Sequence, residues 1–112
     1  MTVKVSVRAG EESTYFVDAD FTDEDDVAVV PNSITWSLRT ASGIIVNGRS
    51  AVSVTPAASI TIVLFGDDLA LNGDSDTRER FVTIEATYNS TLGNNLPLVD
   101  EAAFEITDFV GK

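Results

Sequence analysis

Hydrophobic and polar residues alternate with a period of two along most of the chain, which is the pattern of strands with one buried and one solvated face. The alternation is clearest in residues 15–21, 34–38 and 82–88, and it predicts further strands at 3–7, 44–46, 52–54, 60–65 and 104–107. No segment carries an apolar stripe of helical period, and residues 67–71 are predicted to form at most one helical turn. The chain is therefore predicted to be β throughout.

Residues 60–65 form the most apolar of these segments, because Val63 and Phe65 add apolar side chains on the face opposite Ile60, Ile62 and Leu64. A strand that is apolar on both faces is predicted to lie at the centre of a sheet. Turn residues separate the strands, and the clearest turn signal is Asn47-Gly48, a dipeptide that favours a type I′ hairpin. Residues 91–98 are predicted to form a long loop.

Seven or eight short strands punctuated by turns indicate an antiparallel sandwich and not βαβ units. Trp36 falls on the third strand, an order that is similar to immunoglobulin (Ig) and fibronectin type III domains, although the inter-sheet cysteine pair is missing and Tyr88 ends its strand. We predict an all-β, antiparallel Ig-like or fibronectin-III-like β-sandwich of seven to eight strands, with residues 1–112 as a single domain. Strand topology stays open, with a jelly roll or a small barrel as alternatives.

Composition excludes several classes of function. The 112 residues include 7 basic and 18 acidic side chains, a formal net charge of −11, with no histidine and no cysteine. Ser-His and Cys-His nucleophiles and imidazole or thiolate metal sites are thereby excluded. The basic residues are scattered among the acids, so we expect no nucleic-acid binding and no docking on an anionic membrane. Nothing at the N-terminus resembles a signal peptide.

An acidic run is the most distinctive local feature, with six carboxylates within nine residues. Alternating loop carboxylates can ligate Ca²⁺, so calcium is the one possible cofactor, with these candidate ligands: Asp18, Asp20, Asp23 and Asp25. A solvated acidic surface and a docking site for a basic partner are the alternatives. Carboxylates crowded on wet loops all stay ionised, which does not suit the acid–base pair of a glycosidase. We therefore expect a protein that is not an enzyme and has no catalytic residues.

Apolar residues outside the predicted core supply candidate interface positions. Leu92, Leu96 and Leu98 lie in the predicted loop, where they either project into a neighbouring subunit or fold back onto the sandwich. Five further apolar residues are out of phase with the inward positions: Phe16, Val63, Phe65, Phe81 and Phe109. The interface candidates are Leu92, Leu96, Leu98, Phe65 and Phe81.

Several segments together resemble small Ig-like structural proteins of tailed bacteriophages: residues 21–25, 31–38, 42–43, 46–47, 64–69, 86–88 and 96–98. The resemblance implies a non-enzymatic virion component that decorates the capsid or lies at the head–tail junction or on the tail. It further implies other virion proteins as partners and a homo-oligomer or symmetric array. Two alternatives remain, a carbohydrate- or receptor-binding module using Trp36, Tyr15 or Tyr88, and a calcium-stabilised bacterial surface domain.

Overall fold

A computed structural model describes residues 2–5, 9–71 and 78–107. These residues form eight strands: β1 (Thr2–Val5), β2 (Ala9–Gly10), β3 (Thr14–Asp20), β4 (Ser33–Thr40), β5 (Val52–Val54), β6 (Ser59–Phe65), β7 (Glu79–Ser90) and β8 (Gly93–Thr107). A single turn of 3₁₀-helix, Gly66–Leu69, follows β6. The predicted all-β class and the predicted helical turn are both confirmed.

The strands form two sheets, as the sandwich prediction requires. The smaller sheet has the order β1-β3-β6, and the larger has the order β2-β8-β7-β4-β5. Every pairing is antiparallel except that of β2 with β8, which is parallel. Because β1 and β2 follow each other in the chain but join different sheets, the N-terminal segment spans both layers of the sandwich.

The core lies between the two sheets and is built from the inward positions of the alternation. β3 and β6 bury every second residue, and β7 does so from Arg80 to Tyr88. The rings of Tyr15 and Phe104 meet across the core with centroids 4.5 Å apart. Trp36 is buried on β4, as its place on the third predicted strand indicated. The core is contiguous, so all described elements contribute to one hydrophobic cluster.

Two predictions about strand position are wrong. β6 is not central, because within the part of the chain that the structure describes it lies at the edge of the smaller sheet and pairs only with β3. Residues 91–98 are not a loop, because Thr91 and Leu92 form a tight turn and β8 begins at Gly93. Pro97 is tolerated within β8 because β2 pairs with β8 only at Ile106 and Thr107, so at Pro97 the side of β8 away from β7 is a sheet edge, where a missing N–H costs no ladder hydrogen bond.

The Asn47-Gly48 turn forms as predicted, although the strand before it does not. Both residues have positive φ, 52° and 66°, and the Arg49 N–H donates to the Val46 carbonyl at 3.0 Å. This is the backbone geometry of a type I′ turn. The Val46 N–H in turn donates to the Leu38 carbonyl of β4. Residues 44–46 therefore pair with β4 through one isolated antiparallel bridge, Arg39 with Ile45, and form no strand of their own.

Candidate functional site

The outer face of the smaller sheet places exposed apolar side chains next to carboxylates. On β3 and β6 the residues that point away from the core are Thr14, Phe16, Asp18 and Asp20, and Ser59, Thr61, Val63 and Phe65. Register places Phe16 opposite Val63 and Asp18 opposite Thr61. The face is therefore divided into an apolar half and an acidic half along the strand direction.

The apolar half consists of Phe16, Val63 and Phe65, which we call the apolar patch. These side chains are 47%, 42% and 56% exposed, although all three belong to regular strands. Burying an apolar side chain of this size contributes roughly 1.5 to 3 kcal/mol of favourable free energy. A partner surface that covered these half-exposed side chains would gain part of that free energy on binding. Phe65 is one of the predicted interface residues, and the sequence pattern places Phe16 and Val63 out of phase with the inward positions.

The acidic half consists of hydrogen-bonded carboxylates. The Thr61 hydroxyl donates to Asp18 at 2.6 Å, and the Ser59 hydroxyl donates to Asp20 at 2.7 Å. A shallow depression of about 300 Å³ is lined by Lys4, Asp18, Asp20, Ser59, Ile60 and Thr61. Within residues 2–5, 9–71 and 78–107 the ion pair is that of Arg49 with Asp68, and neither Asp18 nor Asp20 joins a cation. Register places Lys4 of β1 opposite Asp18, so the depression holds two carboxylates against one cation and keeps a net negative charge for an incoming basic group.

The four predicted calcium ligands are distributed over two places. Asp18 and Asp20 lie on the outer face of β3, whereas Asp23 and Asp25 lie in the turn that follows, where their carboxylate oxygens and those of Glu24 come within 4.8 Å of one another. Asp23 Oδ1 accepts the backbone N–H groups of Asp25 and Val27, at 2.9 and 3.0 Å, so it holds its own turn. The structure thus brings together two of the four residues, with Glu24 as the third member.

Tyr88 connects this acidic turn to the end of β7. Its hydroxyl donates to Glu24 Oε1 at 3.3 Å. The pKa of Tyr88 lies above its ordinary value, first because of burial and then because of the Glu24 carboxylate and the neighbouring charges of Asp23 and Asp25. The acidic turn is therefore docked against the sandwich.

The predicted interface residues do not form one surface. Leu92 is 74% exposed at the turn between β7 and β8, while Leu98 packs against the core and Leu96 is half-buried opposite Tyr88. Phe81 is half-buried on the larger sheet, between Arg39 and Ala103. Only Phe65 of this set lies in the apolar patch, and Phe109 lies outside the described residues.

Aromatic side chains proposed for a carbohydrate-binding platform are not on the surface. Trp36, Tyr15 and Tyr88 are all buried. Tyr15 packs on Phe104, and the Arg49 guanidinium carbon lies 5.7 Å from the centre of the Trp36 ring. These three residues therefore do not offer the exposed platform on which that alternative depended.

A buried carboxylate that the sequence analysis did not identify, Asp68, holds one end of the sandwich together. Asp68 has no exposed surface and accepts hydrogen bonds from Arg49 Nε at 2.8 Å, Asn47 at 2.8 Å and the Phe65 N–H at 3.1 Å. Burial alone would raise the pKa of Asp68, but these hydrogen bonds outweigh it and hold the pKa below its ordinary value. The same contact raises the pKa of Arg49. Because the Arg49 guanidinium is already paired with Asp68, we assign this cluster a role in the stability of the fold and not in binding a ligand.

No protein-family model, curated protein or solved structure matches the chain. Among the described residues there is also no helix with the length and apolarity needed to cross a membrane. The geometry of the outer face of the smaller sheet, with an apolar patch beside hydrogen-bonded carboxylates, is suited to binding a surface of mixed apolar and basic character.

Proposed function

We propose that this chain is a non-enzymatic interaction protein that binds other protein subunits of a larger assembly through the outer face of the smaller sheet. The observation that carries the proposal is the apolar patch, in which Val63 and Phe65 stay about half-exposed on a fully formed edge strand. Exposed apolar groups clustered on ordered structure are typical of protein interfaces. The adjacent carboxylates add orientation and charge selectivity.

The assembly we propose is a tailed-phage virion, in which the chain decorates the capsid or lies at the head–tail junction or on the tail. The resemblance of its turn and core segments to small Ig-like phage proteins supports this choice. Repeated placement of one small domain on a symmetric particle also suits a structural role. The other virion proteins are then the partners.

Site-specific photo-crosslinking in the native assembly tests the proposal. A photoreactive phenylalanine analogue replaces Phe65, and matched variants carry it at Leu92 and at Ile44, which are also strongly exposed. We expect a discrete crosslink to another protein from position 65 and none from position 44. Equal labelling at all three positions, or a crosslink from position 92 alone, would overturn the assignment of the apolar patch as the interface.

A further inference from the structure

The free edge of β6 extends the same site into a backbone-recognition surface, an inference that rests on the proposed function. Among residues 2–5, 9–71 and 78–107, β6 is the last strand of the smaller sheet and pairs only with β3. The Phe21 N–H donates to the Ala58 carbonyl, and the Gly66 N–H donates to the Ser13 carbonyl, so even-numbered positions point toward β3. Because backbone groups alternate along a strand, the odd-numbered positions of β6 point to the free edge.

Four backbone positions therefore face outward from the edge, and one of their donors is occupied. Ser59, Thr61 and Val63 offer both N–H and C=O, whereas the Phe65 N–H donates to Asp68 Oδ2 at 3.1 Å. The side chains of these same residues are on the outer face. A strand added to this edge would pair with residues 59–63 and lay its own outward side chains beside the apolar patch and the acidic depression.

The other long edge of the sandwich is protected against such pairing. The Thr107 carbonyl accepts from Glu11 of the segment after β2, so the odd-numbered positions of β8 face its free edge. Pro97 removes one donor there, and Asp100 Oδ1 accepts the Glu101 N–H at 2.8 Å, which occupies a second. Glu101 itself and a further glutamate at 105 add charge. These are recognised means of blocking edge-to-edge association.

β6 has one of these protective features, the occupied Phe65 N–H at its C-terminal end, and lacks the others along residues 59–63. Residues 59–65 contain no charge and no proline, and their pairing with β3 runs without a bulge. The edge of β6 is apolar and largely unprotected, whereas the edge of β8 is protected. This contrast indicates that β6 is kept open to pair with another strand. This strand is also the one whose composition predicted a central position, which an added strand would give it.

Charge determines which occupant fits the edge. Strands in a sheet lie about 4.8 Å apart, so an added strand would lie about 10 Å from β3, within reach of a lysine or arginine side chain directed at Asp18 or Asp20. A second copy of this chain would bring another net charge of −11 to the same face. The acidic depression therefore favours a basic segment over self-pairing.

We propose that β6 binds an extended segment of a partner protein as an additional antiparallel strand. Its outward side chains are apolar opposite Val63 and Phe65. They are basic opposite Ser59 and Thr61, where they reach the carboxylates of β3. Backbone hydrogen bonds to Thr61 and Val63 hold the segment in register.

The test uses isotope-labelled full-length chain and a capped synthetic peptide. The peptide has valine at the two alternate positions facing 65 and 63, lysine at those facing 61 and 59, and threonine between them. We expect the peptide to slow hydrogen exchange at the Thr61 and Val63 amides and to leave the Val99 amide on β8 unchanged. A peptide with glutamate in place of lysine should bind about tenfold more weakly, since two attractive charge pairs become repulsive.

Two controls separate strand addition from simple contact with the patch. A peptide N-methylated at the positions that pair with Thr61 and Val63 should lose binding to the unmodified chain. Val63→Pro removes the edge donor and should abolish binding, Val63→Ala keeps it and should only weaken binding, and Val99→Pro places a proline on the other edge and should have no effect. The N-methylated peptide keeps the test valid even if Val63→Pro does not fold.

Each other outcome overturns the inference. Equal binding of the N-methylated peptide would leave the patch as a docking surface without strand addition, so the proposed function would stand alone. Protection of Thr61 and Val63 that grows with chain concentration in the absence of peptide would identify a second copy as the occupant. No exchange change at saturating peptide would reject strand addition, while a crosslink from position 65 would still support the interface.

Discussion

The guanidinium of Arg49 donates two hydrogen bonds to the carboxylate of Asp68, at 2.8 and 3.1 Å, at a point where the carboxylate has no exposed surface. Arg49 follows the turn before β5 in the larger sheet, and Asp68 belongs to the 3₁₀-helix after β6 in the smaller sheet. The pair therefore joins the two layers of the sandwich beside the edge of β6. It also fixes the end of β6, because Asp68 accepts the Phe65 N–H.

Asp68→Asn is expected to destabilise the fold by about 2 to 3 kcal/mol, because it leaves the Arg49 charge without its partner in a partly buried place. The loss is smaller than for a fully buried pair, since the Arg49 side chain is 30% exposed and can be hydrated. Urea unfolding at neutral pH measures the change. Asp67→Asn, next to it but exposed, is the control and should change stability by less than about 0.5 kcal/mol. Equal effects of the two substitutions would contradict the role of the pair.

The same pair predicts a dependence of stability on pH. The pKa of Asp68 is lower in the folded chain than its ordinary value of 3.8, so its stabilising contribution is fully present above about pH 3.8 and is lost as pH falls through the folded pKa. The measured quantity is the difference in unfolding free energy between wild type and Asp68→Asn, which isolates the contribution of this one carboxylate. It should be constant near neutral pH and shrink in acid, and a difference that does not change with pH would refute the linkage.

Asn47 has two separable roles that a pair of substitutions can distinguish. Its backbone takes a positive φ of 52° in the turn, and its side-chain amide donates to Asp68 Oδ1 at 2.8 Å. Asn47→Gly keeps the backbone preference and loses the hydrogen bond, which should cost about 1 kcal/mol. Asn47→Ala loses both and should cost about 1 kcal/mol more. If chemical denaturation gives the same value for both variants, the left-handed backbone does not contribute.

The hydrophobic alternation was sufficient to predict the core, because burial on one face is a local property of a strand. Tyr15, Val17 and Ala19 on β3 and Ile34, Trp36 and Leu38 on β4 were all placed inward and all are buried. Whether a strand is central or at an edge depends on which strands pair with it, and that is a long-range property. An apolar outer face on a strand therefore predicts burial from the local pattern alone, whereas the outer face of β6 belongs to an exposed edge strand.

The candidate site could be predicted only in part, for the same reason. Phe65 was named from its phase, but its relation to the acidic positions became visible only through the β3–β6 register, which sets Asp18 beside Thr61. The acidic run looked continuous in sequence. The strand directs Asp18 and Asp20 to the sheet face, and the following turn directs Asp23 and Asp25 elsewhere. Asp68 gave no signal, since an aspartate in a turn is ordinarily solvated.

Glu24→Gln is expected to lower the pKa of Tyr88, because it removes the charge and the strong acceptor that Glu24 places on the hydroxyl. Burial would still keep that pKa above its ordinary value. The absorbance of tyrosinate during an alkaline titration reports both tyrosines. Only the Tyr88 transition should move, because the pKa of Tyr15 is raised by burial and not by Glu24. Asp26→Asn serves as the control because it changes the charge of the same turn. A similar shift in both variants would show that general repulsion is responsible.

Removing the protective features of β8 should create a second adhesive edge. Pro97→Val restores a backbone donor, and Asp100→Ala releases the Glu101 N–H that Asp100 now occupies. The double variant should therefore show a rise in average mass with concentration in light scattering, strongest at high salt, where repulsion between the acidic chains is screened. Asp25→Ala removes the same charge without exposing an edge and should behave as wild type. If the double variant scatters as wild type at every salt concentration, Pro97 and the Asp100–Glu101 hydrogen bond are not what prevents pairing at β8. The difference in edge protection between β8 and β6 would then no longer support strand addition at β6.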